Sequence, residues 1–135
     1  MRDPLSPRIE SLSAVTLTVA DLARSMRFYE SVGFERKPGD DVPGFVSYLL
    51  GGGAQPAYLN LLAAPEGEAQ GAPSRGFGGW GRVILYVSDV DAFYARLVAT
   101  GIVPELAPAD APWGERYFHL ADPDGHELSF AQPLR

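Results

Sequence analysis

The sequence repeats itself at an offset of 68 residues. The stretch at 14–22 (AVTLTVADL) aligns with the stretch at 82–90 (RVILYVSDV), and the two share four identical residues. The alignment continues without a gap as far as Gly33 and Gly101. Because an internal repeat reveals architecture before any single motif does, the chain is predicted to contain two copies of one supersecondary unit.

Each copy predicts a strand followed by a helix. Apolar side chains alternate through residues 15–19, which is typical of a strand with one face on a core. Asp21 and Asp89 then stand where a helix N-cap accepts a backbone N–H, and the apolar spacing changes to about 3.6 residues. Gly33 and Gly101 are predicted to end the helices, because glycine adopts the left-handed conformation found there.

Three further strands are predicted after each helix. They lie at residues 34–37, 45–50 and 57–63 in the first copy, and at 102–106, 116–120 and 127–131 in the second. The predicted organisation is a short tail (1–8) and a single α+β domain (9–134). Within the domain, module one (9–63) and module two (82–134) are joined by a glycine-rich linker (64–81), which is longer than an ordinary connection.

Composition excludes several classes of function. The chain has no cysteine, so it forms no disulfide and no thiolate metal site. Its net charge of −6, with the arginines dispersed, argues against nucleic-acid binding. No apolar run approaches the ~20 residues that span a bilayer, and residues 1–4 have no apolar signal core. The sequence therefore predicts a cytoplasmic protein with neither a nucleic-acid nor a membrane partner.

Several motifs in a fixed order resemble one known family. They are VADLARSMRFY (19–29), VGF (32–34), VSDVDAFY (87–94), WGERYF (113–118) and DPDGH (122–126). Together they resemble the vicinal oxygen chelate (glyoxalase/bleomycin-resistance/dioxygenase) superfamily over residues 9–134. The resemblance implies two βαβββ modules in a curved mixed sheet, an incomplete barrel around a cavity, with helices outside. It also implies a homodimer.

The resemblance further implies a divalent metal, held in the family's enzymes by His, Gln or Glu at four equivalent strand positions. Here those positions hold Ala14, Asn60, Arg82 and Ser129. Zinc, iron and manganese need imidazole or carboxylate ligands, and a guanidinium cannot ligate a metal. The sequence therefore predicts no metal and no other cofactor.

Strand parity predicts which side chains line the cavity. Residues that alternate with the apolar core positions share the opposite face of each strand. With the aromatic residues of the neighbouring loops, they form a mixed pocket that suits an organic ligand. An alternative is that Arg82 and Glu127 simply pair, or that large side chains fill the space. The predicted ligand-binding residues are Thr16, Tyr58, Asn60, Trp80, Arg82, Tyr86, Trp113 and Ser129.

Three hypotheses for function follow. The favoured one is a metal-free protein of the bleomycin-resistance type, which sequesters a small organic molecule such as a drug or metabolite without reaction. The second is a lyase, isomerase, thiol transferase or dioxygenase, either metal-dependent or with Arg82 as the oxyanion partner and His119 or Glu127 as base. The third is a protein with a filled cavity that acts through its dimer surface or a protein partner.

Overall fold

The computed structural model describes residues 7–39, 42–65 and 81–134. Two helices and eight strands alternate along this part of the chain in the order β-α-β-β-β, twice. The first unit comprises β1 (Ala14–Val19), α1 (Leu22–Val32), β2 (Glu35–Arg36), β3 (Phe45–Leu50) and β4 (Ala57–Ala63). The second comprises β5 (Arg82–Tyr86), α2 (Val90–Ala99), β6 (Ala109–Ala111), β7 (Glu115–Ala121) and β8 (Glu127–Pro133).

The strands form two four-stranded mixed sheets with the same topology. The strand order is β1-β4-β3-β2 in sheet one and β5-β8-β7-β6 in sheet two. The first and last strands of each unit pair in parallel, and the remaining pairs are antiparallel. The predicted α+β fold of two βαβββ modules is confirmed, and the sheets do not close into a barrel.

Both helices begin and end where the sequence predicted. The Asp21 carboxylate accepts a hydrogen bond from the backbone N–H of Arg24, and Asp89 accepts one from that of Ala92, both at 3.0 Å. Gly33 and Gly101 have positive φ angles of 124° and 93°. Across the described ranges, no helix is long and apolar enough to cross a membrane.

One strand prediction was wrong. Residues 102–106 form no strand, and the outermost strand of sheet two is instead the three-residue β6 at Ala109–Ala111. Pro104 lies within the predicted segment and Pro108 follows it. Because proline has no N–H to donate to a neighbouring strand, this segment cannot continue a regular ladder. The predicted linker at 64–81 falls mostly outside the described residues.

A single hydrophobic core joins the two modules. In β1 and β4 the apolar side chains at odd-numbered positions, such as Leu17 and Leu59, share one face of the sheet. They are buried in the same cluster as Tyr29 and Val32 of α1. Those of sheet two are buried against α2 in the same cluster. Each helix thus covers one face of its own sheet. On the opposite face, side chains such as Tyr86 stay largely exposed, at 67% of their surface.

A buried hydrogen bond connects α1 to the turn between β7 and β8. The Tyr29 hydroxyl donates to the Asp122 carboxylate at 2.7 Å, and both side chains are buried. Asp122 also accepts from the backbone N–H groups of Asp124 (2.9 Å) and His126 (2.8 Å). Burial, and then the Asp122 charge, raise the pKa of Tyr29. Burial also raises the pKa of Asp122, although the Tyr29 hydroxyl opposes that effect.

The same turn makes four more contacts with module one, one of which is the ion pair between the Arg24 guanidinium and Asp124 at 3.5 Å. Asp124 accepts hydrogen bonds from the backbone N–H of Ala20 at 2.9 Å and from the Ser25 hydroxyl at 3.3 Å. The His126 Nε2 atom lies 2.9 Å from the Thr18 carbonyl oxygen on the outer edge of β1. We call this polar contact between the modules the module latch; it comprises Ser25, Tyr29, Asp122, Asp124 and His126.

The opposite side of the junction is an open apolar cleft. Here the end of β3 approaches β5 and α2 around a space of about 320 Å³. At the 68-residue offset, Phe93 and Leu97 of α2 correspond to Ser25 and Tyr29 of α1. We call this space the junction cleft; it is lined by Leu12, Val15, Gly33, Phe34, Leu49, Leu50, Gly51, Val83, Ile84, Leu85, Tyr86, Val87, Phe93 and Phe130.

Candidate functional site

The open face of sheet one carries a short hydrogen-bonded chain of polar side chains. Thr16, Asn60 and Ser47 are direct neighbours on β1, β4 and β3. The Ser47 hydroxyl donates to Asn60 Oδ1 at 2.6 Å, and Asn60 Nδ2 donates to the Thr16 hydroxyl at 3.1 Å. Lys37 places its ammonium group 5.2 Å from the centre of the Tyr58 ring. Parity thus places Asn60 opposite the buried Leu59, as predicted.

The open face of sheet two has an ion pair at one end. Arg82 on β5 and Glu127 on β8 are neighbours in register, with an N–O distance of 3.3 Å and about a third or less of each side chain exposed. The Arg82 guanidinium also lies 6.0 Å from the Trp113 ring and 5.6 Å from the Tyr117 ring. The pairing that the sequence offered as an alternative is therefore formed, and it partly neutralises Arg82.

A second carboxylate lies at the other end of this face. Glu115 at the start of β7 accepts a hydrogen bond from the Tyr86 hydroxyl at 2.5 Å and from the Trp113 indole N–H at 3.0 Å. The hydrogen bond to Glu115 raises the pKa of Tyr86, because the phenolate would stand beside a carboxylate. The rings of Trp113 and Tyr117 are 5.4 Å apart.

Two polar residues of the same face, His119 and Ser129, have buried hydrogen-bonding atoms that no described residue uses. We call this pair the floor of the face. Ser129 and His119 are cross-strand neighbours on β8 and β7. Ser129 is 1% exposed, and within the described ranges its hydroxyl has no hydrogen-bond partner. His119 Nε2 lies 2.9 Å from a Glu105 carboxylate oxygen, whereas its buried Nδ1 atom has no partner in the same ranges. Buried polar groups are normally paired, so this floor is suited to a polar group from outside the chain.

The predicted ligand-binding residues fall into two groups. Thr16, Tyr58 and Asn60 lie together on sheet one. The other predicted residues that the structure describes lie on sheet two or in the turn before β7. Among the described residues, no hydrogen bond, ion pair or ring contact joins the two groups. Trp80 lies outside the described residues. The sheet-two group comprises Arg82, Tyr86, Trp113 and Ser129.

Sequence reasoning missed two members of the sheet-two face. Glu115 and Tyr117 were not predicted, because parity was read only along the first and last strand of each module. The same alternation applied to β7 would have found them, since both share a face with His119. The module latch was also missed, because its partners are about 100 residues apart.

The four positions that hold a metal in the family's enzymes do not fit one here. Ala14 has no donor atom, and the Asn60 side chain is bonded to Ser47 and Thr16. Arg82 brings a permanent positive charge, which would repel a dication. Within the described residues no group of three or more His, Cys, Asp or Glu side chains could hold a metal ion.

Comparison with known proteins identifies the family. The model of the Glyoxalase/Bleomycin resistance protein/Dioxygenase superfamily matches residues 11–130. The chain belongs to this superfamily. An uncharacterized protein of Mycobacterium tuberculosis is 30% identical over 137 residues, covering 98% of this chain and 81% of its own length. An uncharacterized protein of Mycobacterium bovis is 30% identical over 131 residues, covering 94% and 86%.

Solved structures of the same superfamily share the fold. A glyoxalase/bleomycin resistance protein/dioxygenase from Nocardioides has a TM-score of 0.70 and 25% identity, covering 97% of this chain and 88% of its own. A member from Sphaerobacter thermophilus has a TM-score of 0.67 and 28% identity, covering 91% and 97%. A bleomycin-binding protein complexed with bleomycin has a TM-score of 0.66 and 25% identity, covering 92% and 98%.

Proposed function

We propose that this protein binds a small organic molecule on the open faces of its sheets, without a metal ion, and sequesters it unchanged. The proposal is supported by membership of the superfamily and by likeness to a bleomycin-binding protein solved with bleomycin. A drug or metabolite is the proposed kind of ligand, and antibiotic resistance is the corresponding biological role.

The observation that carries this proposal is the floor of sheet two, where the buried atoms Ser129 Oγ and His119 Nδ1 have no partner among the described residues. A buried hydroxyl without a partner costs about 1–3 kcal/mol, and the Ser129 hydroxyl has no partner among the described residues, so a polar group that bonded it would remove this cost. Trp113 and Tyr117 flank this floor with flat apolar surface, as in sites that bind organic molecules. The Thr16–Asn60–Ser47 chain offers a second, polar surface on sheet one.

We further propose that the protein is a cytoplasmic homodimer. The open faces leave large apolar side chains exposed, among them Ile84 at 48% and Leu62 at 43%. A second copy placed over Ile84 and Leu62, with the end of sheet two at Trp113 left open for the ligand, would remove that apolar surface from water, which favours association. The molar mass in solution, measured by light scattering, checks the dimer: the chain is 14.5 kDa, so a dimer doubles that value.

Thermal unfolding with candidate ligands tests binding. We expect bleomycin-type antibiotics or other small molecules to raise the unfolding midpoint, since a ligand at a hundredfold excess over its dissociation constant adds about 2.7 kcal/mol. Metal analysis of the same sample is expected to find less than stoichiometric zinc, iron or manganese. Stoichiometric metal, or a broad screen in which no compound changes the midpoint, would contradict the proposal.

A matched pair of variants ties binding to the site. Trp113→Ala should weaken binding about tenfold or more, because a stacked aromatic ring contributes roughly 0.5–1.5 kcal/mol beyond its buried area. Leu106→Ala is the control, since Leu106 is exposed to a similar degree (59% against 54%) and lies in the loop before β6. Equal loss of affinity in both variants would place the ligand elsewhere.

The alternative is an enzyme of the same superfamily, and one observation favours it. His119 is paired with the Glu105 carboxylate at 2.9 Å, as general bases often are, and it is the cross-strand neighbour of Ser129. In this alternative Arg82 stabilises an oxyanion and His119 or Glu127 acts as base. Mass spectrometry of a ligand recovered after prolonged incubation distinguishes the two: an unchanged mass supports sequestration, whereas conversion that is lost in Arg82→Ala supports catalysis.

A further inference from the structure

The open face of sheet two contains a carboxylate, Glu115, that has no ion-pair partner in the part of the chain that the structure describes. Glu115 is bonded to the Tyr86 hydroxyl and the Trp113 indole, and both donors are neutral. Among the described residues, no Lys, Arg or His forms an ion pair with it. Arg82, the cation on the same face, is paired with Glu127 instead. The uncompensated charge on this face is therefore negative.

The surroundings of Glu115 are those of a site for an organic cation. The Trp113 and Tyr86 side chains lie on either side of the carboxylate, and both are more than half exposed, at 54% and 67%. Aromatic faces attract ammonium groups, and a neighbouring carboxylate strengthens that attraction. The Arg82 guanidinium lies 6.0 Å from the centre of the Trp113 ring, and its positive charge is offset by its ion pair with Glu127.

A second observation points to a ligand on the same face. The Ser129 hydroxyl is almost completely buried in the central strand β8, and no residue that the structure describes bonds it. Strand alternation places Ser129 on the same face as Glu127 and Tyr86. Glu127 is two residues before Ser129 in β8, and Tyr86 is two residues after Ile84, the partner of Ser129 in β5. The hydroxyl can bond a polar group of a ligand whose charged end lies at Glu115.

We propose that the ligand of this protein is an organic cation with an aromatic or apolar body, and that its ammonium group binds Glu115 between Tyr86 and Trp113. This inference rests on the proposed function and names the class of ligand. The net charge of −6 acts in the same direction, because it raises the rate of encounter with cations at low ionic strength.

Three phenyl compounds that differ in charge provide the test. Phenethylammonium, 2-phenylethanol and 3-phenylpropanoate are titrated into the full-length ¹⁵N-labelled protein, and the Trp113 indole N–H signal is followed by NMR. The chain has two tryptophans, so Trp113→Phe assigns the signal. We expect the ammonium compound to shift this signal and to bind at least tenfold more tightly than the alcohol or the carboxylate.

Glu115→Gln removes the charge and keeps one of the two oxygens, so it can still accept from the Trp113 indole N–H while its NH2 group donates to the Tyr86 hydroxyl oxygen. Its affinity for phenethylammonium should fall about tenfold, to that of 2-phenylethanol, with an unchanged unfolding midpoint. Glu35→Gln is the matched control, because it removes one negative charge from an exposed strand of sheet one. It should leave the affinity within about twofold.

The outcomes separate this inference from the proposed function. If the three compounds bind equally, or if Glu115→Gln keeps the affinity for the ammonium compound, the inference is wrong while small-molecule binding stands. The same holds if the thermal screen finds a ligand without a positive charge whose affinity Glu115→Gln does not change. If neither the screen nor the three compounds give any binding, the proposed function and the inference are both overturned.

Discussion

The two sides of the module junction are built from equivalent elements but have opposite chemistry. On one side, the turn between β7 and β8 meets α1 through the module latch, with the buried hydrogen bond from Tyr29 to Asp122 at 2.7 Å. On the other side, the β3 end meets β5 and α2 across the junction cleft of about 320 Å³. The connection there runs from residue 51 to 56 and begins with Gly51-Gly52-Gly53, which have no side chains to bond with.

The difference between the module latch and the junction cleft shows that the repeat determines the fold of each module but not the contacts between the modules. Apolar contacts at the cleft are non-directional, so they hold the modules together without fixing their angle. Hydrogen bonds in the latch are directional and buried, so they fix one arrangement. The latch is therefore expected to carry most of the specificity of the junction.

The largest expected effect comes from removing the centre of the latch. Asp122→Ala takes away the acceptor for the Tyr29 hydroxyl and for two backbone N–H groups, and it should lower the free energy of unfolding by about 3 kcal/mol. Gly52→Ala, in the turn of module one, is the control. An added Cβ there meets nothing within 4 Å, so the change should stay within about 0.5 kcal/mol. Urea unfolding measures both, and similar losses would remove the distinction between the two sides.

A smaller effect is expected from the donor of the latch. Tyr29→Phe keeps the buried ring but leaves Asp122 with one donor fewer, which should cost about 1.5 kcal/mol. Tyr94→Phe on α2 is the matched control, since the Tyr94 ring packs edge-on against Phe118 at 5.3 Å and its hydroxyl has no hydrogen bond among the described residues. Its loss should be within about 0.5 kcal/mol. Equal losses in urea unfolding would mean that the hydroxyl contributes nothing to the junction.

The smallest expected effect is a difference in how the free energy of unfolding of the parent and of Tyr29→Phe depends on pH. Burial raises the pKa of Tyr29 in the folded protein above its unfolded value of about 10. Above pH 10 the unfolded chain therefore binds fewer protons, and the stability that the group contributes is lost as the pH rises, by up to about 1.4 kcal/mol per pH unit. Between pH 9.5 and 11, Tyr29→Phe should lose about 1 kcal/mol less than the parent. Parallel stability curves for the two proteins would contradict this assignment.

Most of the fold could be predicted because it depends on local patterns. The repeat, the capping aspartates and the alternation in β1 and β5 each act over a few residues, and the structure confirms the elements they predict. The exception is β6, where Pro104 interrupts a run that otherwise looks like a strand. Its short replacement at Ala109–Ala111 depends on pairing with β7, which no local pattern reveals.

The candidate site was predictable only in part. Parity along single strands identified Asn60 and Ser129 as facing away from the core, because that property needs no knowledge of neighbours. It could not show that Arg82 pairs with Glu127, since the register of β5 against β8 decides this. It also could not assign Glu115 its two donors, which come from another strand and from a loop.

The latch also has a consequence for how the protein is made. Tyr29 and Asp122 are separated by 93 residues, so α1 leaves the ribosome long before its hydrogen-bond partner is synthesised. Until then the Tyr29 hydroxyl either stays hydrated or is buried without a partner, and module one remains incomplete. Because such a distant contact forms late, nascent chains that stop before residue 122 should be more sensitive to proteases at α1 than full-length chains are.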